Sequence, residues 1–282
     1  MLSYRHSYHA GNHADVLKHT AWIQLIKYLC QKDKPLFVVD THAGAGAYSL
    51  ETEHAEKLGE YREGIGRLWE LGDDVSPFIA DYLNVVRAEN NSHRLRSYPG
   101  SPRIAQILLR EQDKLRLFEL HSTDHQLLAN KLGHGDKRVI VYADDGFVTL
   151  KALLPPPSRR GLVLMDPSYE LREDYARVLH TLREALQKFA SGTYAIWYPV
   201  LPKLESVQMP KRLKALPCDN WLHASLSVRA PATQGYGMCG SGMFIINPPW
   251  TLHAMLEESL PKLCELLAQD THASFTLEQH QT

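Results

Sequence analysis

Cysteine is scarce: only Cys30, Cys218, Cys239 and Cys264 occur in 282 residues, and no two form a C-x-x-C pair. That spacing excludes the common zinc and dithiol motifs, and a chain of this length needs no disulfide framework, so a reducing compartment is expected. No apolar run approaches the ~18 residues of a membrane span. The opening Met1-Leu2-Ser3-Tyr4-Arg5-His6 also lacks the hydrophobic stretch of a signal peptide. A cytoplasmic protein without a membrane partner is the expectation. Charge of one sign is missing as well, since 31 Lys and Arg face 32 Asp and Glu. This excludes a molecule-wide basic field, so any nucleic-acid partner needs a local basic face. What is present is ordinary for a folded chain: 44% hydrophobic and 22% charged residues, which excludes wholesale disorder.

Asp15 to Gln31 predicts an amphipathic helix, with Trp22, Ile26 and Leu29 at helical spacing. Leu36-Phe37-Val38-Val39-Asp40 reads as a buried strand feeding the turn Thr41-His42-Ala43-Gly44-Ala45-Gly46. Residues 50–97 are polar, punctuated by Gly64 and Gly66, and carry two helix candidates. One runs from Tyr61 to Leu71; the other is capped by Ser76, with Pro77 at its first position, and reaches about Arg87. They read as a small helical insertion dividing one larger unit, residues 1–49 and 98–282. Beyond it, strands at Leu115–Leu120, Arg138–Tyr142, Gly161–Asp166 and Thr193–Tyr198 alternate with helices. Trp221–Arg229 and Met243–Asn247 bring the total to about seven. That rhythm predicts an α/β, Rossmann-like, doubly wound and mostly parallel sheet. The last two strands are separated only by the loop holding Gly235, Gly237, Gly240 and Gly242, which predicts an antiparallel pair at one edge. The polar tail past about Asp270 reads as frayed.

In such a sheet ligands bind beyond the carboxyl ends of the strands. Four successive strand ends deliver a carboxylate: Asp40, Glu119, Asp145 (in Asp144-Asp145-Gly146-Phe147) and Asp166. Gly44 and Gly46 allow a tight turn and close approach by a ligand. The dinucleotide fingerprint fails at Ser49, and the next acid in the pattern, Glu119, lies far beyond the ~20 residues usual in that motif. A nucleoside without pyrophosphate suits the pattern better. Glu119 can bridge the two hydroxyls of a ribose, because a carboxylate offers two acceptor oxygens. Asp145 can accept from an exocyclic adenine amine or simply cap a helix.

Asp166-Pro167-Ser168-Tyr169 approximates the [DN]-P-P-[YFW] signature of enzymes that methylate amino groups. A conjugated exocyclic amine is a poor nucleophile. A carboxylate at Asp166 and the main-chain carbonyl of Pro167, accepting its two hydrogens, stabilise the charge that develops on it. Tyr169 is then expected to stack on a base taken out of its helix. Asn247-Pro248-Pro249-Trp250 matches the signature better letter by letter, but it closes the last strand, far from the turn at 44–46. It is ranked second, as the end of an edge strand.

His9 and His13 have the spacing of zinc ligands on a helix, yet no H-E-x-x-H accompanies them, and no metal is expected. The aromatic and basic arm Tyr4, Arg5, His6 and Tyr8, with Lys18 and His19, reads better as a cover over the site, stacking on bases and meeting phosphate. Arg94/Arg96 with Tyr98, Arg103/Arg110, Arg159-Arg160 and Lys211-Arg212-Lys214 are candidate patches for an RNA-facing surface.

Together these segments resemble the RlmJ family of bacterial 23S rRNA adenine-N6 methyltransferases. The resemblance spans nearly the whole chain. It is carried by the run from Met1 to His19, Asp40 to Gly46, Tyr98-Pro99-Gly100-Ser101-Pro102, Glu119-Leu120-His121, Trp197-Tyr198-Pro199 and Asn247-Pro248-Pro249-Trp250. It implies a class I S-adenosylmethionine-dependent methyltransferase fold with a small helical insertion, acting on one adenine of protein-poor 23S rRNA. On matching positions it implies S-adenosylmethionine contacts at His19, His42, Ser101, Glu119, Asp145, Gly146 and Asp166, with Asp166 catalytic and Tyr4 touching RNA. Ser168 stands where the family has a second proline, while Pro167 is retained. Other readings of the residues are a DNA-adenine or protein-amide methyltransferase, a non-catalytic RNA-binding module, and, disfavoured by the glycine pattern, a nicotinamide oxidoreductase. No coiled-coil stripe or obligate protein partner is evident, so a monomer is expected.

Overall fold

The computed structural model describes residues 5–72, 75–90, 93–231 and 237–281. After a short 3-10 turn (His6–Tyr8), Asn12 caps helix α1 (His13–Leu29), its side chain accepting from the amides of Ala14 and Asp15. Helix α1 is not amphipathic. Every residue from His13 to Ile26 is buried, because later elements pack on it from several sides. Strand β1 (Phe37–Asp40) leads into the glycine turn and then β2 (Ala47–Ser49). The expected insertion follows as α2 (Glu53–Leu58), a 3-10 turn (Glu60–Glu63), α3 (Ile65–Trp69) and α4 (Pro77–Asn90), and returns through β3 (Ser97–Pro99). β2 and β3 pair antiparallel as a ribbon at its base. The helix expected over Tyr61–Leu71 is broken at Gly64, whose missing side chain lets the backbone lie against Gly11 and Asn12; a Cβ there would sit 2.1 Å from the Gly11 carbonyl.

The rest alternates: α5 (Ser101–Leu108), β4 (Lys114–Phe118), α6 (Ser122–Leu128), β5 (Val139–Tyr142), α7 (Gly146–Leu153), β6 (Gly161–Met165), α8 (Arg172–Lys188) and β7 (Thr193–Val200). Then come α9 (Leu204–Lys214), β8 (Trp221–Ser227), β9 (Gly240–Ile246), α10 (Leu252–Leu267) and β10 (Ser274–His280). The main sheet has eight strands in the order β10-β8-β9-β7-β6-β1-β4-β5. Strands β5, β4, β1, β6 and β7 are parallel, whereas β9 runs antiparallel to both β7 and β8. The chain places β4 on one side of β1 and β6 on the other, which opens a switch-point crevice at the carboxyl end of β1.

Three further sequence expectations need correction. The tail is not frayed, since β10 pairs antiparallel with β8 along its length. Most of its residues are exposed, and its two apolar members, Phe275 and Leu277, alternate too briefly to announce an edge strand. β9 is interior, not an edge, and Gly240 and Gly242 belong to it rather than to a loop; a Cβ on Gly242 would meet the Tyr198 ring at 2.2 Å. Gly235 lies outside the described residues. No helix among the described residues is long and apolar enough to cross a membrane.

Candidate active site

Two clefts open at the carboxyl ends of the parallel strands. The first, about 1110 Å³ including its mouth, is walled by the turn after β1, the ends of β4 and β6, and the start of α7. The second, about 1250 Å³, lies over the end of β7, between α1 and the segments beyond β8 and before β9. His6, Lys18, Asp166 and Ser168 line both.

Of the four strand-end carboxylates, three face the first cleft. Both oxygens of Glu119 are fixed by backbone amides, Gly44 N at 2.8 Å and His121 N at 2.7 Å. Burial nevertheless raises its pKa. Asp145 accepts from Phe147 N at 2.9 Å, so its capping role is real, and it also pairs with Arg177. Arg177 stacks over Phe147, 4.5 Å from the ring centroid; nothing in the sequence marked it as part of the site. Asp40 is the exception. It is fully buried beneath the cleft, held by the Ser101 hydroxyl at 2.7 Å, and burial pushes its pKa up to about 7.

His42 and His19 both line the first cleft, and burial keeps both neutral, each with a pKa near 3. His42 Nδ1 meets Thr41 Oγ1 at 2.8 Å, and His19 Nδ1 meets the Tyr98 hydroxyl at 2.8 Å. His19 Nε2 is buried with no hydrogen-bond partner among the described residues. Such an orphan costs about 1–3 kcal/mol unless a ligand satisfies it. Gly44 borders the cleft, whereas Gly46 (φ +81°) does not; its open side faces Leu128 and Leu132, so it serves the turn and its packing. Gly146 fits where a Cβ would sit 2.2 Å from the Thr41 carbonyl, letting α7 start against the β1 turn.

At the junction of the clefts, Lys18 Nζ lies 2.6 Å from Asp166 and 2.8 Å from Asp15. Burial works against the ammonium, but the two carboxylates outweigh it and raise its pKa. Asp15 is also buried, yet His6 (2.9 Å) and Lys18 hold its carboxyl well below the usual range. Asp166 is raised by burial, with Lys18 pulling the other way. Lys18 is thus enclosed between carboxylates, only 4% of its side chain exposed, and does not present itself to an RNA phosphate. Arg5 is exposed and His6 stands at the junction; Tyr4 lies outside the described residues.

Pro167 lines the first cleft, but Tyr169 does not stack where a base would lie. Its φ of +53° turns the ring inward, its hydroxyl donates to the Trp197 carbonyl at 2.7 Å, and it is 2% exposed. Asn247 ends β9, and β9 runs opposite to β7. The second motif therefore sits at the amino end of the parallel strands, on the far edge from both clefts. His9 lies outside α1 and meets Glu60 at 3.0 Å, so it shares no helical face with His13. Several basic candidates are occupied structurally: Arg103 with Glu89, Arg110 with Asp113, and Lys214 with Glu278. Arg110 and Arg160 also bind carbonyls of the loop before β1, at the sheet's other end.

A family model described as "Ribosomal RNA large subunit methyltransferase D, RlmJ" matches residues 33–278. The chain is 51% identical over 263 residues to the Escherichia coli (strain K12) protein named ribosomal RNA large subunit methyltransferase J, covering 93% of each chain. It is 47% identical to the Haemophilus influenzae protein of the same name, covering 99% of this chain and 98% of that one. A crystal structure of a Legionella pneumophila protein, 38% identical, superposes with a TM-score of 0.89 over 96% of this chain and 98% of that one. With model and relatives agreeing over nearly its full length, this chain belongs to the RlmJ family of large-subunit ribosomal RNA methyltransferases.

Proposed function

We propose that this protein transfers a methyl group from S-adenosylmethionine to the N6 amine of one adenine in 23S rRNA, in the cytoplasm. As a family member it is a methyltransferase of the class I S-adenosylmethionine-dependent fold, and S-adenosylmethionine is its cofactor. The donor set of the first cleft fits that molecule. Glu119 has lone pairs left for a ribose diol, Phe147 and Phe118 supply apolar wall, and the orphaned Nε2 of His19 offers a buried polar contact. Asp145, Gly146, His42, Gly44 and Ser101 complete the lining. Bound there, the sulfonium supplies an already activated methyl group, so the protein has only to align and stabilise.

The observation that carries the reading is Asp166 at the meeting of the two clefts. A target amine brought in through the second cleft reaches a carboxylate that also faces the first. Asp166 accepts one N6 hydrogen and the Pro167 carbonyl the other, which stabilises the positive charge growing on the amine. Lys18, 2.6 Å away, favours the ionised form of Asp166 against the effect of burial and fixes its position. The carboxylate then receives the proton released as the new bond forms. Labelled S-adenosylmethionine incubated with protein-free rRNA from cells lacking this methyltransferase tests the reading. Label at one adenine N6 of 23S rRNA supports it. Label confined to duplex DNA or to protein, or calorimetry showing no cofactor binding, overturns it.

A further inference from the structure

Tyr169 is locked in the core and lines neither cleft. Trp197, in β7 just past the last residue that pairs with β6, lines the second cleft together with Asp166. The Lys18 ammonium that holds Asp166 also lies over the indole, 5.6 Å from the ring centroid. The Trp197 carbonyl accepts the Tyr169 hydroxyl, so the indole and the motif loop are held to one another. The side chain is 91% buried, yet its Nε1 has no hydrogen-bond partner among the described residues. An indole nitrogen can only donate. On the α1 side of the same cleft, His13 Nδ1 is a second buried orphan, and burial keeps that ring neutral with a pKa near 4. Two ring nitrogens without a hydrogen-bond partner among the described residues, on two residues that line one cleft from separate elements, mark a place where a ligand can supply the missing partner.

We propose that Trp197 is a specificity-determining residue: its indole N–H donates to a ring nitrogen of the target adenine while Asp166 accepts from N6. The inference rests on the adenine-N6 reading above. Adenine carries an acceptor nitrogen on either side of its amine, N1 and N7, so one donor and one acceptor at fixed separation set the rotation of the base in its plane. That rotation places N6, and with it the lone pair that stands perpendicular to the ring, in front of the methyl donor. Uracil and guanine offer no amine at that position and place a carbonyl oxygen against the Asp166 carboxylate instead.

The test uses the full chain and an RNA fragment spanning the methylated adenosine, made also with 1-deazaadenosine or 7-deazaadenosine at that position. Trp197→Phe keeps an aromatic ring and removes the donor. The expected result is a fall in kcat/KM of about tenfold on the natural fragment, the scale of one buried hydrogen bond, with cofactor affinity unchanged. One of the two deaza fragments should cost the wild-type enzyme a similar factor and cost Trp197→Phe nothing further. A wild-type enzyme indifferent to both deaza fragments refutes the proposal, even if the variant fails to fold. So does a loss in Trp197→Phe that multiplies with both deaza losses. Failure of the wild-type enzyme to methylate the natural fragment would instead strike at the adenine-N6 reading itself.

Discussion

Replacing Lys18 by Met separates two accounts of this residue. The substitution keeps the length of the side chain and removes the charge between Asp15 and Asp166, which lie 2.8 and 2.6 Å from the ammonium. Removing one partner of a buried ion pair costs about 3–5 kcal/mol, because the other charge stays buried without compensation. For a chain of this size that corresponds to a fall in Tm of roughly 6–20 °C. The pH dependence has a definite sign. Asp15 is held well below the usual carboxylate range, so its contribution to stability is present above the unfolded pKa and is lost as pH falls through the folded one. Without Lys18 that depression shrinks, so the stability gap between wild type and variant should narrow in strongly acidic solution. Asp166, already raised by burial, rises further without its cation, and the acid limb of the single-turnover rate should move to higher pH. Thermal melts across pH and single-turnover methylation of protein-free rRNA measure both effects. A variant with wild-type stability and pH profile, but weaker and less salt-dependent RNA binding, would return Lys18 to the phosphate-contacting role its position in the sequence suggested.

Asp166→Asn should leave the fold intact and slow methyl transfer by ~10²–10³ in single-turnover assays, since the amide oxygen accepts but carries no charge. Glu119→Gln places an amide NH₂ against Gly44 N or His121 N, two donors face to face. Calorimetry should show S-adenosylmethionine affinity falling by about tenfold or more, a cost of 1–3 kcal/mol, while unchanged affinity would remove Glu119 from the cofactor site. Asn247→Ala loses two hydrogen bonds to the Ala190 and Gly192 carbonyls and puts alanine at a φ of +52°. It should cost about 1–3 kcal/mol in denaturant titrations and leave the rate of the folded enzyme untouched; a lost rate would make the second motif the working one.

The parallel half of the fold was legible because its strands are short, largely apolar runs, four of them followed within two residues by an acid, and buried strands advertise themselves in that way. The order of the two D/N-P motifs was legible for a weaker reason, chain position. The physical reason is strand direction, since β9 reverses and carries Asn247 to the opposite edge. Tyr169 could not be placed from sequence, because only its positive φ decides that the ring turns into the core. Lys18 misled for a related reason. A lysine in the first turns of a helix ordinarily faces solvent, and its burial depends on Asp166, 148 residues away. Arg177 and Trp197 line the clefts through tertiary packing; no local pattern announces Arg177, and Trp197 stood only within the Trp197-Tyr198-Pro199 segment that carries the family resemblance. β10 was missed because an exposed edge strand need not be apolar.

Helix α1 has a consequence for how the molecule is made. Its residues are translated well before those of β9, which forms part of its covering roughly 200 residues later. At ~5–20 residues per second, ribosomes take on the order of 10–40 s to produce that stretch. Through that interval a segment rich in Trp22, Ile23, Leu25 and Ile26 has left the ribosome without its partner strand. Lys18 and His19 travel with it. A nascent chain that has completed β1, β4, β5 and β6 therefore still lacks the packing that sets Lys18 beside Asp166 and His19 in the wall of the first cleft, and the site is complete only once β9 closes over α1.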